Sequence, residues 1–232
     1  MTQPSLILFD FDDTLCVTER YMSAAFFEVL RDYLKPYQPD LTVQQLVVKN
    51  TELYRKHGSS LHGWMHELRK EMDFTLDMFA KFAPVLKGAV MPHTQPNPGL
   101  LRRLGELQEM GHELAILTLG HRDYCLPILD KIGITTFIPH EKVFDISVME
   151  GRLKRDADTY HHLLKHHLKG KYRHKYMFED SMANLMAAHK AGFGTFLIGP
   201  KRPPEELDSS IEHQAATINQ ALDILMNEVL PA

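Results

Sequence analysis

The sequence predicts an α/β protein: a doubly wound parallel sheet core with an inserted all-helical cap. Three observations predict it. Three of four clear short apolar runs end in carboxylates or a hydroxyl, helix-period segments alternate with those runs, and about 75 residues of helical pattern separate the first run from the second.

The first run, Ser5 to Phe9, ends at Asp10 and reads as a buried strand. Four helical faces follow it. Phe26, Phe27, Leu30 and Leu34 make the first, and Leu46, Val47, Leu53 and Tyr54 the second. Leu61, Trp64, Met65, Leu68 and Met72 make the third, and Leu76, Phe79, Ala80 and Ala83 the fourth. Pro92, Pro96 and Pro98 stiffen the return to the core. The core is therefore expected over residues 1–16 and 92–232, and the cap over 17–91.

Beyond the cap, Leu100, Leu104 and Leu107 form a helical face that stops at Gly111. The second apolar run, Leu114 to Leu117, ends at Thr118. Ile128, Leu129 and Ile132 precede Gly133, and a weaker run lies around Thr136 to Val143. A helix carrying Tyr160, Leu163, Leu164 and Leu168 leads to the run Tyr176–Phe178, which ends at Glu179 and Asp180. Leu185, Ala188 and Ala191 then lead through Gly192 to Thr195–Ile198, and a last amphipathic helix spans Ile218 to Val229. In parallel α/β sheets ligands bind outside the carboxyl ends of strands, so the polar groups at those ends are the candidates for chemistry.

Composition narrows the function classes. Lys plus Arg total 26 against 30 Asp plus Glu, a net charge of −4 with histidine neutral. That balance carries no footprint for sequence-independent nucleic-acid binding and none for a polybasic membrane anchor. Two cysteines, Cys16 and Cys125, give neither a disulfide framework nor a CxxC pair, and the apolar opening is too short for a secretory h-region. A soluble, cytoplasmic protein acting on a small molecule, as monomer or homodimer, is the expectation.

The strongest local signal is Phe9-Asp10-Phe11-Asp12-Asp13-Thr14-Leu15. Three carboxylates in four residues repel one another at a strand end unless a cation sits among them. In extended backbone Asp10 and Asp12 project to the same side, which suits a nucleophile with an acid/base partner or two ligands of a hard cation. Thr118, Lys154 in Glu150-Gly151-Arg152-Leu153-Lys154, and Phe178-Glu179-Asp180-Ser181 follow in order.

With these four motifs the chain resembles the haloacid dehalogenase superfamily, in a form with a helical cap and a Rossmann-like core. Two positions depart from the common pattern: Arg155 follows Lys154 where Pro is frequent, and Leu119-Gly120 follows Thr118 where Asn-Gly is frequent. The resemblance implies a Mg²⁺-dependent phosphatase acting on a small phosphorylated metabolite. Asp10 would be the nucleophile, Asp12 the general acid and base, and Thr118 and Lys154 would hold the phosphoryl group. The metal would take a side-chain oxygen of Asp10, the backbone carbonyl of Asp12 and the side chain of Asp180, with Glu179 direct or through water. Thr14, Leu119 and Gly120 would line the substrate site. Relatives that displace halide lack the second Asp, so Asp12 favours phosphoryl transfer.

The segment Lys56 to Trp64 reads as a loop between cap helices, and Ser59, Ser60 and His62 are its candidate substrate contacts. It is similar to a specificity loop of pyrimidine 5′-nucleotidases in the same superfamily, which implies a nucleoside monophosphate substrate. Phosphoglycolate, a sugar phosphate, a phosphomutase reaction and a non-catalytic phosphate-binding module are the alternatives. The His-rich stretch around His161, His162, His166, His167 and His174 reads as a solvated helix face.

Overall fold

The computed structural model describes residues 3–230. Six parallel strands form one sheet: β1 (Leu6–Phe9), β2 (Glu113–Leu117), β3 (Val143–Phe144), β4 (Lys175–Glu179), β5 (Gly194–Ile198) and β6 (His213–Ala215). Their order is β3-β2-β1-β4-β5-β6, with β1 central. Phe9 pairs with Ile116 of β2 and with Phe178 of β4, so the residues just past all three strands emerge at one edge.

Side chains on β1 alternate between faces, as the two-residue period of a strand requires. Ile7 and Phe9 join Ile116, Phe178 and Phe196 in one cluster, beneath α5 (Pro98–Glu109), α6 (Arg122–Lys131) and α9 (Ile218–Ile224). Leu6 and Leu8 join Ala115, Leu117 and Met177 in the other, beneath α7 (Ala157–His166) and α8 (Met182–Lys190). Burial on both faces explains why these strands read as unbroken apolar runs.

Four helices form the insert between β1 and α5. They are α1 (Glu19–Leu34), α2 (Val43–His57), α3 (Ser60–Glu67) and α4 (Met72–Val90). Leu30, Leu46, Leu53, Trp64, Met78 and Phe82 form a third cluster belonging to this insert. Thr42 and Gln45 close a capping box at the start of α2. The far end of α4 belongs to the core, because Ala83 and Val90 pack in the same cluster as α6.

Sequence and structure differ in four places, the first being the weak run around Thr136 to Val143, of which only Val143 falls in a strand, β3. The expected loop from Lys56 to Trp64 is only a tight turn: α2 runs to His57, Gly58 adopts φ 83°, and Ser59 caps α3. The helical face drawn from Leu61 to Met72 is broken at Leu68, where Arg69 takes φ 52°, and Met72 starts α4. The edge strand β6 carries no apolar run in the sequence, because all three of its residues are only half-buried.

Candidate active site

The parallel ladder continues one residue past β1, where the Asp10 N–H donates to the Phe178 carbonyl at 2.9 Å. This bond fixes the Asp10 side chain, which is buried, beside the end of β4. The chain then turns sharply: Asp13 has φ 56°, and the Leu15 and Cys16 N–H groups both donate to the Phe11 carbonyl. Asp13 Oδ1 accepts from the Thr18 N–H at 3.0 Å and also from Glu19 N–H, at the start of α1. Asp13 thus ties α1 to the strand end, and all three acids line a common cleft.

Lys154 arrives from the other side. Glu150 (φ 54°) and Gly151 (φ 76°) fold the loop after β3 back on itself, and the Leu153 carbonyl accepts from Thr159 Oγ1 at 2.7 Å. The Lys154 ammonium is buried; it donates to Asp10 Oδ1 and, at 2.6 Å, to Glu179 Oε2. Glu179 accepts a further bond from the Ser181 N–H at 3.2 Å. The two carboxylates overcome the burial that would otherwise favour neutral lysine, and they hold Lys154 protonated.

Burial dominates the carboxyl groups. It pushes Asp10 up to about 7, reinforced by the charge of Glu179 and opposed by Lys154. Asp12 rises to about 6, first through burial and then through repulsion from Asp10. Glu179 and Asp180 rise to about 7 and about 6, with burial the leading cause in each. Carboxyl oxygens of Asp10, Glu179 and Asp180 all lie within 4.8 Å of one another. An all-oxygen set of three carboxyl groups fits a hard divalent cation, whose charge would relieve this crowding.

The cleft has a volume of about 560 Å³. Asp10, Asp12, Lys154, Glu179, Asp180 and Leu119 line it from the core, and Met22, Phe26, Asn50, Tyr54 and Ser60 line it from the insert. Gly120 and Ser59 line an adjoining pocket. Thr118 stands buried at the end of β2, where its Oγ1 accepts from the Gly120 N–H at 2.9 Å. Thr14 is buried in the turn, and its Oγ1 has no hydrogen-bond partner. His62 does not line the cleft: its Nε2 meets the Gly151 carbonyl at 2.7 Å and joins the insert to the Lys154 loop.

Two residues absent from the sequence reading shape the site. Tyr124 on α6 donates its hydroxyl to Asp12 Oδ1 at 2.7 Å. Asp145, fully buried after β3, accepts from the Arg122 N–H at 2.7 Å, from the Ser147 hydroxyl and from the Val148 N–H. It thereby ties the start of α6 to the Lys154 loop. Tyr124 lies at no expected strand end, and Asp145 follows only the weak run around Thr136 to Val143, so their spatial neighbours distinguish them.

The family model described as haloacid dehalogenase-like hydrolase matches residues 7–198, the span that holds every residue of this cleft. The chain belongs to that family. No curated protein matches it. Among solved structures it is similar to a 2-haloacid dehalogenase from Pseudomonas syringae, at 19% identity and TM-score 0.61, covering 96% of this chain and 98% of the other. A candidate β-phosphoglucomutase from Thermotoga maritima matches at 19% identity and TM-score 0.61, covering 97% and 99%. A candidate HAD-hydrolase from Bacillus subtilis bound to magnesium matches at the same identity, TM-score and coverage. Identities this low carry the fold. Among the described residues no helix is long and apolar enough to cross a membrane.

Proposed function

We propose that this hydrolase is a Mg²⁺-dependent phosphatase that cleaves a small phosphate monoester through an aspartyl-phosphate on Asp10, with the helical insert acting as its cap. The observation that carries this reading is Asp12, which shares the cleft with Asp10 and has its carboxyl pushed up to about 6. Displacing halide needs no proton, whereas an alkoxide leaving group does, and Asp12 supplies one.

An Asp10 carboxylate oxygen attacks phosphorus, and the bond from phosphorus to the ester oxygen breaks. The Asp12 proton passes to that oxygen, which leaves as the alcohol. Asp12 then takes a proton from water as the water oxygen attacks phosphorus, the bond to Asp10 breaks, and inorganic phosphate is released. Lys154, already on Asp10, is placed to counter the charge on the phosphoryl oxygens. Asp10, Glu179, Asp180 and the Asp12 carbonyl would hold Mg²⁺, which supplies charge neutralisation among the carboxylates and the phosphate. Thr118, whose hydroxyl accepts from the Gly120 N–H, would present that loop to the phosphate.

The test is turnover of p-nitrophenyl phosphate with Mg²⁺, alongside fluoride release from fluoroacetate and chloride release from 2-chloropropionate. Phosphate release that is abolished in Asp10→Asn, with no halide release, supports the reading. Halide release without phosphate release overturns it.

A further inference from the structure

Beside Asp12 lies a second cavity, of about 240 Å³, running between the core and the insert. It shares Asp12, Met22, Phe26, Tyr54 and Leu119 with the main cleft, and Leu61, Phe82 and Leu86 close it. Apart from Asp12, its titratable side chains among the described residues are Tyr54, His121 and Tyr124. His121 accepts the Asp123 N–H on Nδ1 at 3.2 Å, with the Asp123 carboxylate 3.6 Å away, and Tyr124 is committed to Asp12. The volume exceeds the roughly 150 Å³ that encloses a benzene ring in an apolar protein cavity.

The main cleft has the matching charge pattern. Six acids line it, Asp10, Asp12, Asp13, Glu19, Glu179 and Asp180, against one cation among the described residues. That cation, Lys154, is already paired with Asp10 and Glu179. Arg155 is not on the wall: its guanidinium lies over the Tyr54 ring, 5.6 Å from the centroid, and donates to the Arg55 carbonyl. A second anionic group on the substrate therefore meets no unpaired cation among the described lining residues of either pocket.

We infer that the leaving alcohol carries an uncharged, ring-sized apolar body, seated in the cavity of Met22, Phe26, Leu61, Phe82 and Leu119 beside Asp12. The inference rests on the phosphatase reading for the direction in which the ester oxygen departs. It disfavours substrates bearing a carboxylate, and it disfavours a mutase, whose doubly phosphorylated sugar intermediate would bring a second phosphate into the same space.

Calorimetry on the full chain with Mg²⁺ tests the pocket independently of turnover. Benzylphosphonate is expected to bind about tenfold tighter than methylphosphonate, because the ring leaves water. It is also expected to bind about tenfold tighter than 4-carboxybenzylphosphonate, because the carboxylate meets no cation. Met22→Lys should narrow the second ratio. Equal affinity for the benzyl and methyl compounds, preference for the carboxylated one, or no binding of any of them overturns the inference. Turnover of the corresponding phosphate esters separates the two readings: selective binding with no cleavage of any ester removes the phosphatase and leaves the pocket standing.

Discussion

The Tyr124 hydroxyl donates to Asp12 Oδ1 across 2.7 Å, linking the first helix after β2 to the carboxyl proposed as acid and base. Burial and the charge of Asp12 push the phenol pKa up, so Tyr124 stays a donor. The bond fixes which Asp12 oxygen is free to face the ester. Tyr124→Phe should lower kcat/KM for an alkyl phosphate about tenfold, with Asp12→Asn costing about 100-fold or more. Both losses should shrink with p-nitrophenyl phosphate, whose leaving group needs no proton. Equal losses on both esters would assign Tyr124 a packing role instead.

Lys154 is the buried counter-charge for two carboxylates. Lys154→Met should abolish turnover and destabilise the metal-free protein by about 3–5 kcal/mol, since Asp10 and Glu179 would be left buried without a cation. Adding Glu179→Gln should restore part of the stability and none of the activity. Urea titration of the single and double variants measures both effects.

Metal binding should compete with protons. Asp10 and Glu179 are pushed up to about 7 and Asp180 to about 6, so all three carry protons at pH 5 in the metal-free protein and are largely ionised at pH 8. Mg²⁺ at about 100 times its Kd should add about 2.7 kcal/mol at pH 8 and much less at pH 5. Thermal melts at the two pH values, with and without Mg²⁺ or excess EDTA, give the difference. Asp180→Asn should flatten it.

His62 gives the opposite end of the scale. Its Nε2 must donate to the Gly151 carbonyl, while Nδ1 is buried without a partner, and burial lowers its pKa. The folded protein therefore resists the second proton that the unfolded chain accepts near pH 6.5. Stability from this group is complete above that pH and falls as pH drops below it, by at most about 1.4 kcal/mol per pH unit. The buried carboxyls slope the other way, so the difference between wild type and His62→Gln in denaturant melts from pH 7.5 to 5.5 should isolate this slope.

The sheet and the acidic strand ends were legible because burial on both faces leaves apolar runs that stop at polar residues. Asp10, Asp12, Lys154, Glu179 and Asp180 do meet in one cleft. What was not legible depends on distance through space. His62 looked like a substrate contact beside Ser59 and Ser60, yet it turns toward Gly151, 89 positions on. Tyr124 and Asp145 sit in segments with no distinctive spacing, and their roles come from the chain end each one faces. β6 escaped because an edge strand is only half-covered and needs no apolar run.

The central position of β1 leaves the first strand synthesised without its second neighbour until β4 is made. Leu6 finds Glu113 on one side and Lys175 on the other, so both edges of an apolar strand stay open while the four insert helices are made. Such a strand is an invitation to pair with other chains, and the nascent polypeptide is most prone to aggregate over that interval. The carboxylate trio is split the same way, with Asp10 waiting for Glu179 and Asp180. Cation affinity consequently reports that the sheet has closed, and a ribosome-stalled chain ending before β4 should show none.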